Sequence, residues 1–152
     1  MQHFILGQDL EYLGRYAFSS CYRIVELNMQ LCTKLKAIGD GAFYECENLI
    51  NIEIPYGITN IGFDTFSHCI SLTNITIPNS VVSIGEYAFY NCSYLKSITI
   101  PDSVKSIGHH AFKDCESLIN IKIPDGITNI YESTFEYCCS LVSIIIPSSI
   151  TN

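Results

Sequence analysis

The chain has 152 residues, enough for one domain with a buried core, and 48% hydrophobic against 15% charged residues excludes intrinsic disorder. Lysines and arginines number 8 against 15 aspartates and glutamates, a formal charge of −7 that speaks against nucleic acid or an anionic lipid surface as partner. The opening MQHFILGQDLEYLG lacks the basic-then-apolar layout of an export signal, and no apolar run reaches about 18 residues, so neither a leader nor a membrane span is expected in this chain.

Internal repetition organises everything else. In chain order, the first unit, 1–23, carries Met1, Phe4, Leu6, Leu10, Leu13, Gly14, Ala17, Phe18 and Cys21, with Gly7 where later units have proline. The second unit, 24–48, is longer by two residues around Leu31 and Cys32, and regains phase at Ile38, Gly39, Ala42, Phe43 and Cys46. Units 49–71, 72–94, 95–117 and 118–140 then repeat every 23 residues, as Phe66, Phe89, Phe112 and Phe135 show, with Cys69, Cys92, Cys115 and Cys138 beside them. A partial seventh unit, 141–152, keeps the proline at Pro147. The shared pattern is L-x-x-I-x-I-P-x-x-[VI]-x-x-I-G-x-x-A-F-x-x-C, clearest from Leu95 to Ser117.

Each part of that pattern has a physical role. In L-x-x-I-x-I, isoleucines at period two closed by proline predict a short strand with Leu95, Ile98 and Ile100 inward. Pro101-Asp102-Ser103 and Pro124-Asp125-Gly126 suit turns leaving the sheet. A second apolar element, Val104 and Ile107, ends at Gly108, where the missing Cβ allows positive φ or close backbone approach. Phe112, Cys115 and Leu118 recur every third residue, which predicts a short α or 3₁₀ segment over 109–114. One unit cannot bury its own apolar face, so the units must stack: the expected fold is a solenoid with short parallel strands in an open sheet and short helical turns opposite.

The recurring I-x-I-P, S-I-G and A-F-x-x-C elements in Leu72–Tyr94 and Leu95–Ser117 resemble BspA-like leucine-rich repeats over essentially the whole chain. Departures are Gly7 for proline, Tyr131 for glycine, and Thr65 and Thr134 for alanine. The resemblance implies a non-catalytic scaffold for adhesion or protein recognition, of the kind found on cell surfaces of anaerobic bacteria and parasitic protists. A cell-surface or secreted location is implied by that kinship alone.

Within a repeat array, apparent chemical clusters change meaning. His109 and His110 fill slots held elsewhere by Phe63-Asp64, Glu86-Tyr87 and Tyr131-Glu132, and a zinc site needs about four converging ligands, so they are expected to be variable turn residues with no metal role. Six cysteines at one slot predict a column of buried, reduced thiols; Cys32 in the insertion and Cys139 outside the column are expected to be more exposed. Carboxylates are scattered over different slots and no nucleophile or phosphate-loop pattern occurs, so neither catalysis nor a cofactor is expected. Asn74-Ile75-Thr76 and Asn91-Cys92-Ser93 match the glycan acceptor triplet, which composition alone accounts for.

The expected binding residues are the outward strand slots: Glu53, Asn74, Thr76, Ser97, Thr99, Asn120 and Lys122, in a nearly neutral polar row that begins at Asn51 and ends at Ser143 and Ile145. They suit an extended protein segment or a glycan. An alternative surface is aromatic, on the turn side, around Tyr87, Tyr90 and Tyr137. The alternative function is a structural spacer or self-associating module, stacking end to end through the β edge at Leu141–Pro147.

Overall fold

A computed structural model describes residues 4–151; Met1 and Asn152, both assigned to repeat units above, lie outside the described residues. The strands follow the repeat: β1 (Phe4–Ile5), β2 (Tyr12–Leu13), β3 (Glu26–Asn28), β4 (Ala37–Ile38), β5 (Asn51–Glu53), β6 (Asn60–Ile61), β7 (Asn74–Thr76), β8 (Ser83–Ile84), β9 (Ser106–Ile107), β10 (Asn120–Lys122) and β11 (Ser143–Ile145). All pairing is parallel. The front sheet runs β1-β3-β5-β7 and resumes as β10-β11, with only a single bridge from Ser97 to Asn120 in the coil between. Register matches the repeat: Ile52 lies beside Ile75, and Leu27 beside Ile52, so the displacement across the insertion is absorbed after the strand.

The second wall pairs β2 with β4 and runs β6-β8-β9. The glycines that close β4, β8 and β9 are there for room, whereas Gly14 after β2 has open space around it. A Cβ on Gly108 would stand 2.5 Å from the Glu86 backbone nitrogen, and one on Gly85 2.8 Å from the Gly62 carbonyl carbon. Tyr131 holds this slot in the next coil, where its side chain forbids such an approach, and the ladder stops at β9.

The third wall differs from expectation. Among the described residues no helix forms, and 109–114 is a succession of turns. Two residues per coil, four apart, adopt left-handed φ: Asp64 and His68, Tyr87 and Asn91, His110 and Asp114. That backbone cannot continue a right-handed helix. Alternate amides instead leave the local turn: Phe66 N–H donates to the Ala88 carbonyl at 2.9 Å, Phe89 to Ala111 at 2.9 Å and Phe112 to Thr134 at 3.0 Å. The intervening amides close four-residue turns, such as Cys92 N–H to the Phe89 carbonyl at 3.3 Å. The period of three was real; its cause is chained turns stitched to the next coil.

The core is one continuous column. Phe18, Phe43, Phe66, Phe89, Phe112 and Phe135 stack with centroids 5.3 to 5.7 Å apart and planes within 10° of parallel, and the middle four are fully buried. Such offset pairs add about 0.5–1.5 kcal/mol each beyond area burial. The two threonines replacing alanine are buried too, and each hydroxyl is satisfied by donating three residues back, Thr65 to Gly62 at 3.0 Å and Thr134 to Tyr131 at 2.8 Å.

Beside the phenylalanines runs the thiol column. Each cysteine Sγ donates to the phenylalanine carbonyl of the preceding coil, Cys46 to Phe18, Cys69 to Phe43, Cys92 to Phe66, Cys115 to Phe89 and Cys138 to Phe112, at 3.1 to 3.3 Å. All eight cysteines are unbridged. Burial pushes the thiols of Cys69, Cys92 and Cys115 well above their ordinary range. Cys139 is exposed, as its slot suggested, whereas Cys32 is fully buried against expectation. The insertion adds one turn, with Cys32 N–H donating to Met29 at 2.9 Å, and Cys32 then takes the place of the proline in the turn that every coil makes, accepting from Leu35 N–H at 3.0 Å as Pro55 does from Ile58. Met29, Cys32 and Leu35 thereby face inward together, and the exposed position falls to Leu31.

Candidate functional site

The front sheet carries its polar side chains outward because residues alternate across a strand. Ile52 and Ile121 are buried while Glu53, Asn120 and Lys122 are exposed, as are Asn74 and Thr76 around half-buried Ile75. On β3, β5 and β7 this surface is hollowed into a depression of about 370 Å³ bounded by Glu26, Asn28, Asn51, Glu53, Asn74 and Thr76. Amides link the coils across it: Asn74 Nδ2 donates to Asn51 Oδ1 at 3.1 Å, and Asn51 Nδ2 to Glu26 Oε1 at 3.5 Å. A second hollow, of about 400 Å³, lies alongside between Gln30, Thr33, Pro55 and the exposed Tyr56, and Gln30 bonds to Glu53 across the boundary.

Of the expected binding residues, the structure gathers Glu53, Asn74 and Thr76 in the depression. Ser97, Thr99, Asn120 and Lys122 continue the row beyond it, with Lys122 drawn toward Asp102 at 3.7 Å. Sequence reasoning missed Glu26, Asn28, Gln30 and Tyr56. The first two were recoverable from the 25-residue displacement that places Leu27 opposite Ile52. Gln30 depends on how the insertion folds, which no periodicity reveals.

The turn side holds the second surface. Its ring contacts run without a break: Tyr16–Tyr44 at 6.4 Å, Tyr44–His68 at 5.7 Å, His68–Tyr90 at 5.0 Å, Tyr90–Tyr87 at 5.6 Å and Tyr87–His110 at 4.7 Å. Phe63 packs edge-on against Tyr87, and His109 stacks on Tyr131 at 4.6 Å. The two adjacent histidines are thus stacked in different coils' aromatic pairs. Tyr87 and Tyr90 belong to this ribbon, whereas Tyr137 lies under the Lys113 ammonium, 5.5 Å from its ring. Carboxylates border the ribbon. Burial holds Asp64 above the usual carboxylate range, and the neighbouring Glu86 and Asp40 charges add to the effect. Burial also raises the Tyr44 and Tyr90 phenols, each reinforced by a hydrogen bond to a carboxylate, Glu45 and Asp114 respectively.

Neither glycan triplet is a free loop. Asn74 is tied to Asn51, and the Asn91 side chain lies 3.0 Å from His68 Nδ1 while accepting a bond from Ser93. Among the described residues no three His, Cys, Asp or Glu side chains converge as a metal set, and no helix is long and apolar enough to cross a membrane.

The whole architecture has close counterparts. A leucine-rich repeat protein of T. pallidum is similar over 95% of this chain and 69% of its own, at 32% identity and a TM-score of 0.87. One from Bacteroides ovatus is similar over 91% of this chain at 31% identity and a TM-score of 0.74, although this chain spans only 42% of it. The pneumococcal vaccine antigen PcpA matches 78% of the chain at 26% identity and a TM-score of 0.61, over 27% of its own length. No curated protein matches in sequence. The model for the BspA type leucine rich repeat region matches 6 copies, over residues 1–94 and 36–152. With phenylalanine and cysteine columns, glycine-spaced walls and parallel front strands all repeating in step, the chain belongs to the BspA-type leucine-rich repeat proteins.

Proposed function

We propose that the protein is a non-catalytic interaction scaffold whose front sheet receives an extended segment of a protein or a glycan, in the manner of an adhesin repeat. The observation that carries this reading is the depression over β3, β5 and β7, where outward amides and carboxylates from successive coils form one hydrogen-bonding row. Such a row matches a ligand with polar groups at regular intervals, because coils repeat at about 4.8 Å across a parallel sheet. Ser97, Thr99, Asn120 and Lys122 extend the platform for a longer ligand. A photo-crosslinking residue at position 76, compared with one at exposed Thr128, tests it against extracellular and cytosolic extracts in parallel. A species captured from position 76 only, and lost on Glu53→Ala with Asn74→Ala, supports the scaffold; equal capture from both positions overturns it. Capture only from cytosol removes the adhesion reading.

A second reading, end-to-end stacking, is favoured by the outer face of the β11 coil, where Val142, Ile145 and Ile146 are 83%, 59% and 53% exposed. Light scattering that stays monomeric across protein concentration rules it out.

A further inference from the structure

Two departures from the repeat meet on the front of the molecule, beside the depression. The first is Tyr56, in a slot that later coils fill with Asn79, Asp102, Asp125 and Ser148. It is 78% exposed, on a turn closed by Ile58 N–H on the Pro55 carbonyl at 3.5 Å, with Gly57 at φ +106°. That third turn position calls for glycine, and among the described residues no other coil has positive φ at this slot. Ser80 of the next coil braces the turn, its Oγ accepting from Gly57 N–H at 3.1 Å and donating to the Ile58 carbonyl at 2.8 Å. The second departure is the insertion, which brings Gln30 and Thr33 to the same hollow, where Gln30 N–H is held by Asn28 Oδ1 at 2.9 Å. An exposed ring is thus fixed over a hollow that adjoins the polar depression at the Gln30–Glu53 bond.

We propose that these two hollows together bind a neutral oligosaccharide, one sugar ring lying with its C–H face on Tyr56 and the next placing hydroxyls among Asn51, Glu53, Asn74 and Thr76. The inference rests on the front-sheet reading and chooses between its two ligands. A pyranose has both kinds of surface that the hollows offer: an apolar face that covers an aromatic ring, and a rim of hydroxyls that each donate and accept. The depression answers with amides and a hydroxyl that do both, and carboxylates that accept. Amides already orient the carboxylates, Gln30 on Glu53 and Asn51 on Glu26, which leaves their remaining lone pairs for hydroxyls. An extended peptide adds to a sheet through its backbone at an edge, whereas β3 and β5 have strand partners on both sides. Charge narrows the choice further. Among the described residues no lysine or arginine lines either hollow, and Glu26 and Glu53 repel sialylated, sulfated or uronic-acid glycans.

The test probes a printed array of neutral, sialylated and sulfated glycans with the fluorescently labelled protein, then titrates the strongest neutral binder by calorimetry. Signal is expected on neutral glycans only. Tyr56→Ala should weaken the titrated affinity by about tenfold or more, while Tyr56→Phe keeps the ring and the binding. Asn74→Ala with Thr76→Ala should weaken it as much, and thermal melts of each variant establish that the fold persists. Tyr12→Ala removes a ring that is 55% exposed on the second wall and should leave the affinity unchanged. Binding of no neutral glycan, preference for the charged ones, or indifference to Tyr56→Ala overturns the proposal. The platform reading is judged separately: a partner crosslinked from position 76 that is a protein, and that enzymatic deglycosylation and Tyr56→Ala leave unaffected, keeps the front sheet as a docking surface and overturns its glycan ligand.

Discussion

Two columns climb the turn side within a few residues of each other, and they follow opposite rules. The inner one is phenylalanine in every coil, from Phe43 to Phe112 without a trace of exposure. The outer one changes identity at each step, from Asp40 through Phe63 and Glu86 to His109. Both sit on the same hydrogen-bonded backbone, so the backbone is not what constrains them. The inner side chain must fit an identical one above and below, at about 5.5 Å, whereas the outer side chain meets unlike neighbours, as Phe63 meets Tyr87 and His109 meets Tyr131, and no single residue type is required of it. Stacking fixes one surface and releases the other.

The sharpest way to break this contrast is Phe89→Ala. It removes a ring from between two others and should cost about 3–5 kcal/mol by urea denaturation, while Tyr94→Ala, on the exposed surface, should stay within about 0.5 kcal/mol. If the two were equal, the column would not be what holds the coils together. Gly108→Ala comes next, with about 1–3 kcal/mol expected because its new Cβ meets backbone at 2.5 Å. Gly14→Ala, with open space around it, is the control.

The thiol column should show about 1 kcal/mol for Cys92→Ala, the loss of one buried donor bond, and resistance to alkylation in the native state while Cys139 labels readily. It also sets a pH dependence. Burial pushes Cys46 up to about 12 and Cys138 up to about 11, from an ordinary thiol value of 9.0. The folded state holds these protons more tightly, so the stabilisation is fully present below about pH 9 and is lost as pH rises toward 11–12. Denaturant midpoints should therefore fall between pH 8 and pH 10.5, less steeply in a Cys46→Ala, Cys138→Ala variant. Smallest of all, Ser97→Ala on the outer strand row should change stability by less than about 0.5 kcal/mol.

What the sequence made legible follows the same division. The spacing of Phe66, Phe89 and Phe112 announces the stack because each residue has one neighbour to satisfy and satisfies it identically. For Gly108 the sequence left positive φ or a close approach, and the structure shows the close approach. The turn segment was harder: a period of three is shared by helices and by chained turns, and only left-handed φ at residues such as His110 and Asp114 separates them. Those residues are not glycines, and the tolerance of aspartate, asparagine and histidine for this backbone is too weak a signal to separate the two on its own. Cys32 was misplaced because an insertion has no counterpart in other coils to compare with, and its inward turn arises from local hydrogen bonding. The hollow beside the front depression depended on the same insertion, through Gln30, and the aromatic ribbon on contacts between unlike residues in neighbouring coils.

The stitching of the turn wall has one more consequence. In the strand walls donors point both ways along the stack, as Ile50 toward Val25 and Ile54 toward Thr76 show, so their dipoles offset. In the turn wall Phe43, Phe66, Phe89 and Phe112 all direct their amides toward the following coil. Peptide dipoles of about 3.5 D therefore add in a single sense down one wall, leaving the solenoid electrically polarised along its length on that side alone, with amide hydrogens facing one way and carbonyl oxygens the other.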